Sequence, residues 1–504
     1  MISRNDEHRD VDIQAAKLGG NHSEPTQSKM IEPERSHEED PANRKAKKTG
    51  LGASFDSLPL EIISLIALAV EAHDRASLKA LRCVNKTCAF ASTRLLFSHV
   101  RVLLKQESIS RLNWIFESPS ISQVVLSVGV DTAEYTDKCL DSYDWDDRDY
   151  GLRSQFEIAL LGLRCLPNLR SIDFRFSKEC VGPRNRRRWW EKTVPESIAF
   201  RNGLLENLFE GLNDHEGHSS KLQSLSIENL QDWSEPNDIN RTQVLSRISR
   251  LALQITAEVD DDAPEKNIER SEVHDFYGSQ LVQHWLLPGQ DNLTHLKLYS
   301  ADMYWGYVPR CDLPKFPKLK SLALGKLSFA HPKQLEWILS HAATLTELSL
   351  DDCPIIIAFL CSGALDADFY PQDPKTLATA AGDPHIWTYT ARWHDYFRRF
   401  RTELPRLTTF RSGFGDWYED QAFRNMEQLG PGLWAQRYRL FDTCVFMRPP
   451  FPYGEYDGLW ENPVEYPDCT DEDLRELVKL RAAINERTGV GDDEQFLQLQ
   501  AAIS

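Results

Sequence analysis

A membrane-spanning stretch is missing from this sequence. The longest apolar run, Ile62 to Val70, has nine residues between Glu61 and Glu71, whereas a helix crossing a bilayer needs about 20. The opening residues are charged, without the apolar core of a secretory leader. Paired cysteines are missing too. The ten thiols, at 83, 88, 139, 165, 180, 311, 353, 361, 444 and 469, contain no Cys-x-x-Cys. In so long a chain this predicts reduced, structural thiols and a soluble protein of the cytoplasm and/or nucleus. Positive charge is in deficit. The formal net charge of −18 argues against nucleic acid as the main partner. Catalytic signatures are lacking as well: no glycine-rich phosphate loop, no G-x-S-x-G elbow and no H-E-x-x-H pair. The acidic stretch DSYDWDDRDY (141–150) fails as a calcium loop, because Arg148 occupies a ligand position if Gly151 is its glycine. Asp260 to Asp262 reads as a solvated turn. The expectation is a protein that is not an enzyme and uses no cofactor, metal or membrane.

What is present is enough apolar material for a real core: 41% hydrophobic residues and 10% aromatics. Residues 1–54 contribute little of it. They are rich in Glu, Lys, Ser, Asn and Arg, too polar to offset the entropy of ordering, and predict a disordered tail. Within them Arg44, Lys45, Lys47 and Lys48 read either as a nuclear localisation signal or as a solvated basic stretch.

Residues 55–100 change character. Leu58 and Pro59 open a helix, since proline is tolerated where no intrahelical amide is yet needed. Glu61 follows near its positive end. Ile62, Ile63, Leu65, Ile66, Leu68 and Val70 leave that helix almost no polar face. Leu78, Leu81 and Val84 recur every three residues in a second helix, and Leu95, Leu96 and Phe97 close a third. A unit this small and this apolar predicts a partner surface.

At Leu58 to Ile62, which read Leu-Pro-x-Glu-Ile, and at the Leu78, Leu81, Val84 step followed by Lys86, the segment resembles the F-box. It differs from the usual motif at Ser77 (often Asp), Asn85 (often Cys) and Phe97 (often Trp). The resemblance implies docking onto the Skp adaptor and, through it, onto the cullin of an SCF-type ubiquitin ligase. It implies an adaptor-binding set of Leu58, Pro59, Ile62, Ile63, Ile66, Leu78, Leu81, Val84 and Leu96. The rival reading is an ordinary helical hairpin that caps a larger domain.

Beyond it, seven segments carry apolar residues at positions 1, 4 and 6. They begin at Ile121, Leu169, Leu222, Ile248, Leu293, Leu319 and Leu345, and the last two steps are each 26 residues. The period is that of leucine-rich repeats, and Cys353 fills the Asn/Cys position of the repeat signature. RLTTFRSGF around Leu407 reads as an eighth, degenerate strand. SRLNWIFESPS and HPKQLEWILSHAAT, before Ile121 and Leu345, have helical spacing, with Trp337, Ile338 and Leu339 turned to the sheet. Strand–helix units of this size must stack to complete a core. The expected architecture is therefore α/β: an N-terminal three-helix F-box, then a leucine-rich-repeat solenoid over 101–363 with parallel strands on the concave face and helices outside. Residues 364–504 hold the last repeat and an aromatic, proline-rich cap. A generic α/β domain with leucine-rich strands is the alternative. The cap ends in a helix with a Thr470/Asp473 capping box, a stripe of Leu474, Leu477, Val478 and Ile484, and Gly489 as terminator.

Side chains flanking the apolar strand positions would line the concave face and meet a protein target: His295, Lys297, Tyr299, Ser321, Ala323, Glu347, Ser349 and Asp351. The insert RNRRRWW (184–190) is a second candidate. Arg186, Arg187, Arg188, Trp189 and Trp190 are of the types richest in binding hot spots. Nucleic-acid stacking, disfavoured by the acidic chain, and tryptophans tucked back onto the repeats are the rival readings. The resemblance and the repeats together point to a substrate-recognition adaptor of an SCF-type E3 ubiquitin ligase. A non-degradative F-box and leucine-rich-repeat interaction scaffold is the alternative.

Overall fold

The computed structural model describes residues 58–133, 150–181, 196–213, 221–233, 238–258, 271–306, 309–360, 378–379, 386–415, 419–430, 432–442, 446–448 and 466–489. The tail over 1–54, the acidic stretch 141–149, the insert at 184–190, Asp260 to Asp262 and most of the proline-rich segment after Arg448 lie outside them.

The chain enters through three helices, α1 (Leu60–His73), α2 (Arg75–Arg82) and α3 (Lys86–Ser98). Asp74 ends α1 in an extended conformation and caps α2, accepting hydrogen bonds from the Ala76 and Ser77 amides at 3.0 and 2.7 Å. The Ser77 hydroxyl donates to the same carboxylate. These bonds hold its pKa below the usual range, the Ser77 hydroxyl contributing most. Asn85 caps α3 by accepting from the Cys88 amide at 2.7 Å. Two of the three departures from the F-box pattern, Ser77 and Asn85, thus sit at helix starts. Ile63, Ala67, Leu78, Cys88, Ala91 and Leu96 form the buried centre of the unit.

From α3 the chain runs straight into a nine-stranded parallel sheet. Its strands are β1 (His99–Leu103), β2 (Ser127–Asp131), β3 (Ser171–Arg175), β6 (Ser224–Gln231), β7 (Arg250–Thr256), β8 (His295–Ser300), β9 (Ser321–Gly325), β10 (Glu347–Asp351) and β14 (Thr409–Gly413), paired in that order. A short pair, β4 (Cys180–Val181) with β5 (Glu196–Ser197), stands apart. Each strand of the nine-stranded sheet before the last pairs with the sheet strand that follows it in the chain. Two rows cross the whole sheet in register: Val100, Val128, Ile172, Leu225, Leu251, Leu296, Leu322, Leu348 and Phe410, then Val102, Val130, Phe174, Ile227, Leu253, Leu298, Leu324, Leu350 and Ser412. They share one apolar core with Leu112 and Ile115 of α4 (Gln106–Glu117), Leu208, Trp285, Ile338 and other helical residues.

Register corrects two expectations. The segment expected to begin at Ile121 begins four residues later, since Val128 and Val130 pair with Ile172 and Phe174. Ile121 instead belongs to the short helix Pro119–Ser122. A strand absent from the repeat pattern, β1, precedes it, with Val100 and Val102 in the same two rows. The degenerate segment at Leu407 is β14, the last strand of the sheet. The thiol of Cys353 donates to the Leu324 and Asp351 carbonyls at 3.3 and 3.4 Å.

A second, five-stranded sheet follows, with β11 (Ile355–Leu360) at its centre between β13 (Ile386–Thr388) and β15 (Tyr438–Asp442). β12 (Ala378–Thr379) and β16 (Phe446–Arg448) are its edges. Its central strand thus lies before residue 364, the expected start of the cap. The helix Trp393–Glu403 buries Trp393, Tyr396, Phe397 and Phe400 beside it, and the helix Thr470–Thr488 buries Leu477, Leu480 and Ile484 in the same core. Gly489 ends the latter in the left-handed conformation, φ 67°.

The expected Thr470/Asp473 capping box does not form. The N-cap is Cys469, without a side-chain cap bond. Asp473 is wholly buried and faces other elements. One oxygen accepts from the His394 amide at 2.9 Å and lies 3.0 Å from its Nδ1. The other accepts from Arg437 Nε at 2.9 Å and from the Tyr438 hydroxyl at 2.8 Å. Thr470 accepts from Arg437 Nη2 instead.

Candidate interaction surfaces

The apolar residues of the three-helix unit divide into two sets. Ile63, Leu78 and Leu96 are buried, with Leu58, Leu81 and Val70 packed around them, so in this structure the first three build the unit's core and present no free surface. This corrects their place in the expected docking set. Ile66 is half-buried, and Pro59 is exposed at the start of α1. Ile62 and Val84 remain 42% and 57% exposed. Other large apolar residues of the unit are exposed: Leu65 at 62%, Leu68 at 53% and Phe90 at 64%, with Leu60 at 39%. Ile62, Leu65 and Leu68 follow one another at three-residue steps on α1, which makes them neighbours along its surface. Large apolar side chains left in water on consecutive turns are the mark of a protein-binding face. Phe97 joins the unit to the sheet, its ring 6.3 Å from that of Trp114 and under the Arg82 guanidinium at 5.3 Å.

The sheet face turned away from the helices carries the second expected set. His295 lines up with Ser321 and Glu347, Lys297 with Ala323 and Ser349, and Tyr299 with Gly325 and Asp351. His295 and Glu347 are half-buried, and Glu347 accepts from the Ser321 hydroxyl at 2.9 Å. Burial, then the nearby Arg250 charge, push the His295 pKa down. Lys297 is also half-buried, and Tyr299 and Asp351 are buried. The short helix Glu419–Asn425 and the turn Met426–Gln428, together a strap, lie over Lys297 and Tyr299. Ala422, Phe423 and Met426 form a buried cluster with Tyr299, against Ala252 and Ala323. The Phe423 ring meets that of Tyr299 edge-on at 6.5 Å and has Lys297 Nζ 4.9 Å from its centroid. Arg424 makes a two-pronged ion pair with Glu228 at 2.8 and 2.6 Å. At the ends of the strap the Gly415 amide donates to Asp351, and the Gly432 amide to the Ser412 carbonyl.

Arg424 completes a line of alternating charge. Asp131 pairs with Arg101 at 2.7 Å and stands 3.8 Å from Arg175, which reaches Glu228 at 3.5 Å. Gly325 leaves room for the strap's main contact: a Cβ there would sit 1.9 Å from the Tyr299 ring. Sequence reasoning missed the strap, for which Phe423 beside Arg424 was the single available signal. The five residues Arg186, Arg187, Arg188, Trp189 and Trp190 lie outside the described residues.

His394, Cys469 and Asp473 bring three potential metal ligands within 4.8 Å of one another. Their chemistry does not suit a cation. Arg437 already neutralises Asp473, and burial raises the pKa of the Cys469 thiol, so the thiolate that a metal needs is disfavoured. The group acts as a polar fastener between the last helix and the second sheet. No helix among the described residues is long and apolar enough to cross a membrane.

The chain matches no family model and none of the curated proteins.

Proposed function

We propose that the chain is a substrate receptor of an SCF-type E3 ubiquitin ligase, which docks through the F-box over 55–100 and presents a protein target from its leucine-rich-repeat surface. The observation that carries this reading is the exposed Ile62, Leu65 and Leu68 on the helix that the Leu-Pro-x-Glu-Ile sequence opens. An apolar stripe of this kind costs solvation in the free protein and is satisfied by an adaptor surface. Support for the second half comes from strands that pair in sequence order and in one register, which suits a nearest-neighbour repeat array. Such a receptor needs no catalytic centre. It raises the local concentration of target beside a charged conjugating enzyme held by other subunits.

The test is co-purification of the full chain with Skp adaptor and cullin, beside Ile62→Asp and Leu65→Asp variants. Both positions are exposed, so the variants keep the fold, which circular dichroism checks. The reading predicts capture of both partners by the natural chain and loss of both by the variants. No adaptor capture by the natural chain overturns it, and adaptor without cullin favours the non-degradative scaffold.

A further inference from the structure

We propose that the face of the sheet from β6 to β10 turned away from the helices is a peptide-binding groove, and that residues 419–428 are its resident ligand. The partner that fits it is an amphipathic protein segment of the same chemistry, with an aromatic residue followed directly by arginine and an apolar residue three positions after the aromatic one. The groove itself rests on the geometry alone. Calling its partner a target for ubiquitylation rests on the receptor reading.

The strap is bound as a ligand is bound. Its helix has seven residues, too short to persist alone in water, so the sheet face orders it. Its buried side chains form a cluster with Tyr299 that is separate from the core shared by sheet and helices. Lifting the strap therefore leaves that core closed. A few anchors do the holding: the Phe423 ring, the Met426 side chain and the Arg424 fork on Glu228. Aromatic and arginine anchors amid near-neutral contacts are the usual make-up of a protein interface.

The receiving side is built without help from the strap. Tyr299 lies across the strand position that Gly325 keeps clear. Glu228 lies 3.5 Å from Arg175, itself 3.8 Å from Asp131, so the sheet places a carboxylate at the point where a guanidinium arrives. Lys297 supplies the cation above the aromatic site. Gly415 and Gly432 tie both ends of the strap to the sheet, which gives it a high effective concentration. A partner segment must compete with it, and so a weak peptide binds only when the strap is loosened.

The probe is a fluorescein-labelled peptide of residues 419–430, titrated into the full chain and followed by anisotropy. The protein variants are Phe423→Ala/Arg424→Ala/Met426→Ala, which frees the strap, and the same with Glu228→Arg. The freed chain is expected to bind the peptide about tenfold or more tighter than the natural chain, for which the tethered copy competes. Adding Glu228→Arg abolishes the gain, and a peptide with Arg424→Glu restores binding to that protein. Equal binding to the natural and freed chains, or binding indifferent to Glu228→Arg, overturns the groove. Should the triple variant fail to fold, the exposed substitution Arg424→Glu alone takes its place, with the same outcomes. Adaptor capture is scored on the same proteins. Peptide binding without it keeps the groove and sinks the receptor reading, and the reverse result does the opposite.

Discussion

Replacing Asp473 by asparagine tests how the last helix is fastened. The substitution keeps shape and removes the charge. Each carboxylate oxygen faces a main-chain or guanidinium N–H, from His394 on one side and Arg437 on the other. Whichever way the new amide turns, its NH2 meets a donor. Arg437, 6% exposed at its side chain, loses its buried counter-charge. Breaking a buried, hydrogen-bonded pair from one side costs about 3–5 kcal/mol. The loss falls where the helices Thr470–Thr488 and Trp393–Glu403 meet the start of β15, with Trp393 donating its amide to the Tyr438 hydroxyl and its ring N–H to the Arg437 carbonyl. Urea unfolding read through tryptophan fluorescence, to which Trp393 contributes among 13 tryptophans, measures the loss. Arg437→Met in the same chain should recover part of the loss, since the two effects are coupled. A variant within about 0.5 kcal/mol of the natural chain, the usual range of a surface change, or strict additivity with Arg437→Met, refutes the buried-pair account.

Two further outcomes follow from burial. Ile63→Ala opens a cavity in the three-helix unit and should cost about 2–5 kcal/mol, while Leu65→Ala on the same helix should leave the urea midpoint unchanged and weaken adaptor capture. The reverse pattern would mean that α1 is turned the other way. The His341 ring accepts the Phe316 amide at Nε2, 3.1 Å away, and burial pushes its pKa below 6.5. The folded state therefore favours the neutral ring: its contribution is complete above about pH 6.5 and declines as pH falls through the lowered value. The stability margin of the natural chain over His341→Phe, measured in urea at pH 7.5 and 5.5, should shrink at the lower pH. A margin that grows on acidification refutes the neutral ring.

Much of the sheet was legible because its rule is local. Leu293, Leu296 and Leu298 repeat at Leu319 and again at Leu345 with nothing between them to disturb the phase. The first repeat slipped because ISQVVLSVGV satisfies the spacing twice, from Ile121 and from Val125, and only pairing with Ile172 chooses between them. β1 was hidden by Phe97, which ends one apolar helix and opens the next apolar row. The capping box at Thr470 was a correct local pattern overruled by tertiary demand, since Arg437 and Tyr438 claim the same carboxylate. In the docking set, apolar identity was readable but facing was not. Ile62 and Ile63 are chemically alike and differ only in which neighbours the fold gives them. The strap was least legible of all, as its burial depends on Glu228 and Tyr299, far away in sequence.

That distance has a consequence for how the chain comes into being. Neighbouring strands of the sheet lie close in sequence, so the array can form step by step as the polypeptide emerges. Arg424 and Glu228 are 196 residues apart, and their pairing waits until the chain has been made past Arg424. During synthesis the face beneath the strap is therefore bare, and a chaperone or partner meeting the nascent protein finds a site that the finished molecule has closed. Whatever binds there early holds it without competition.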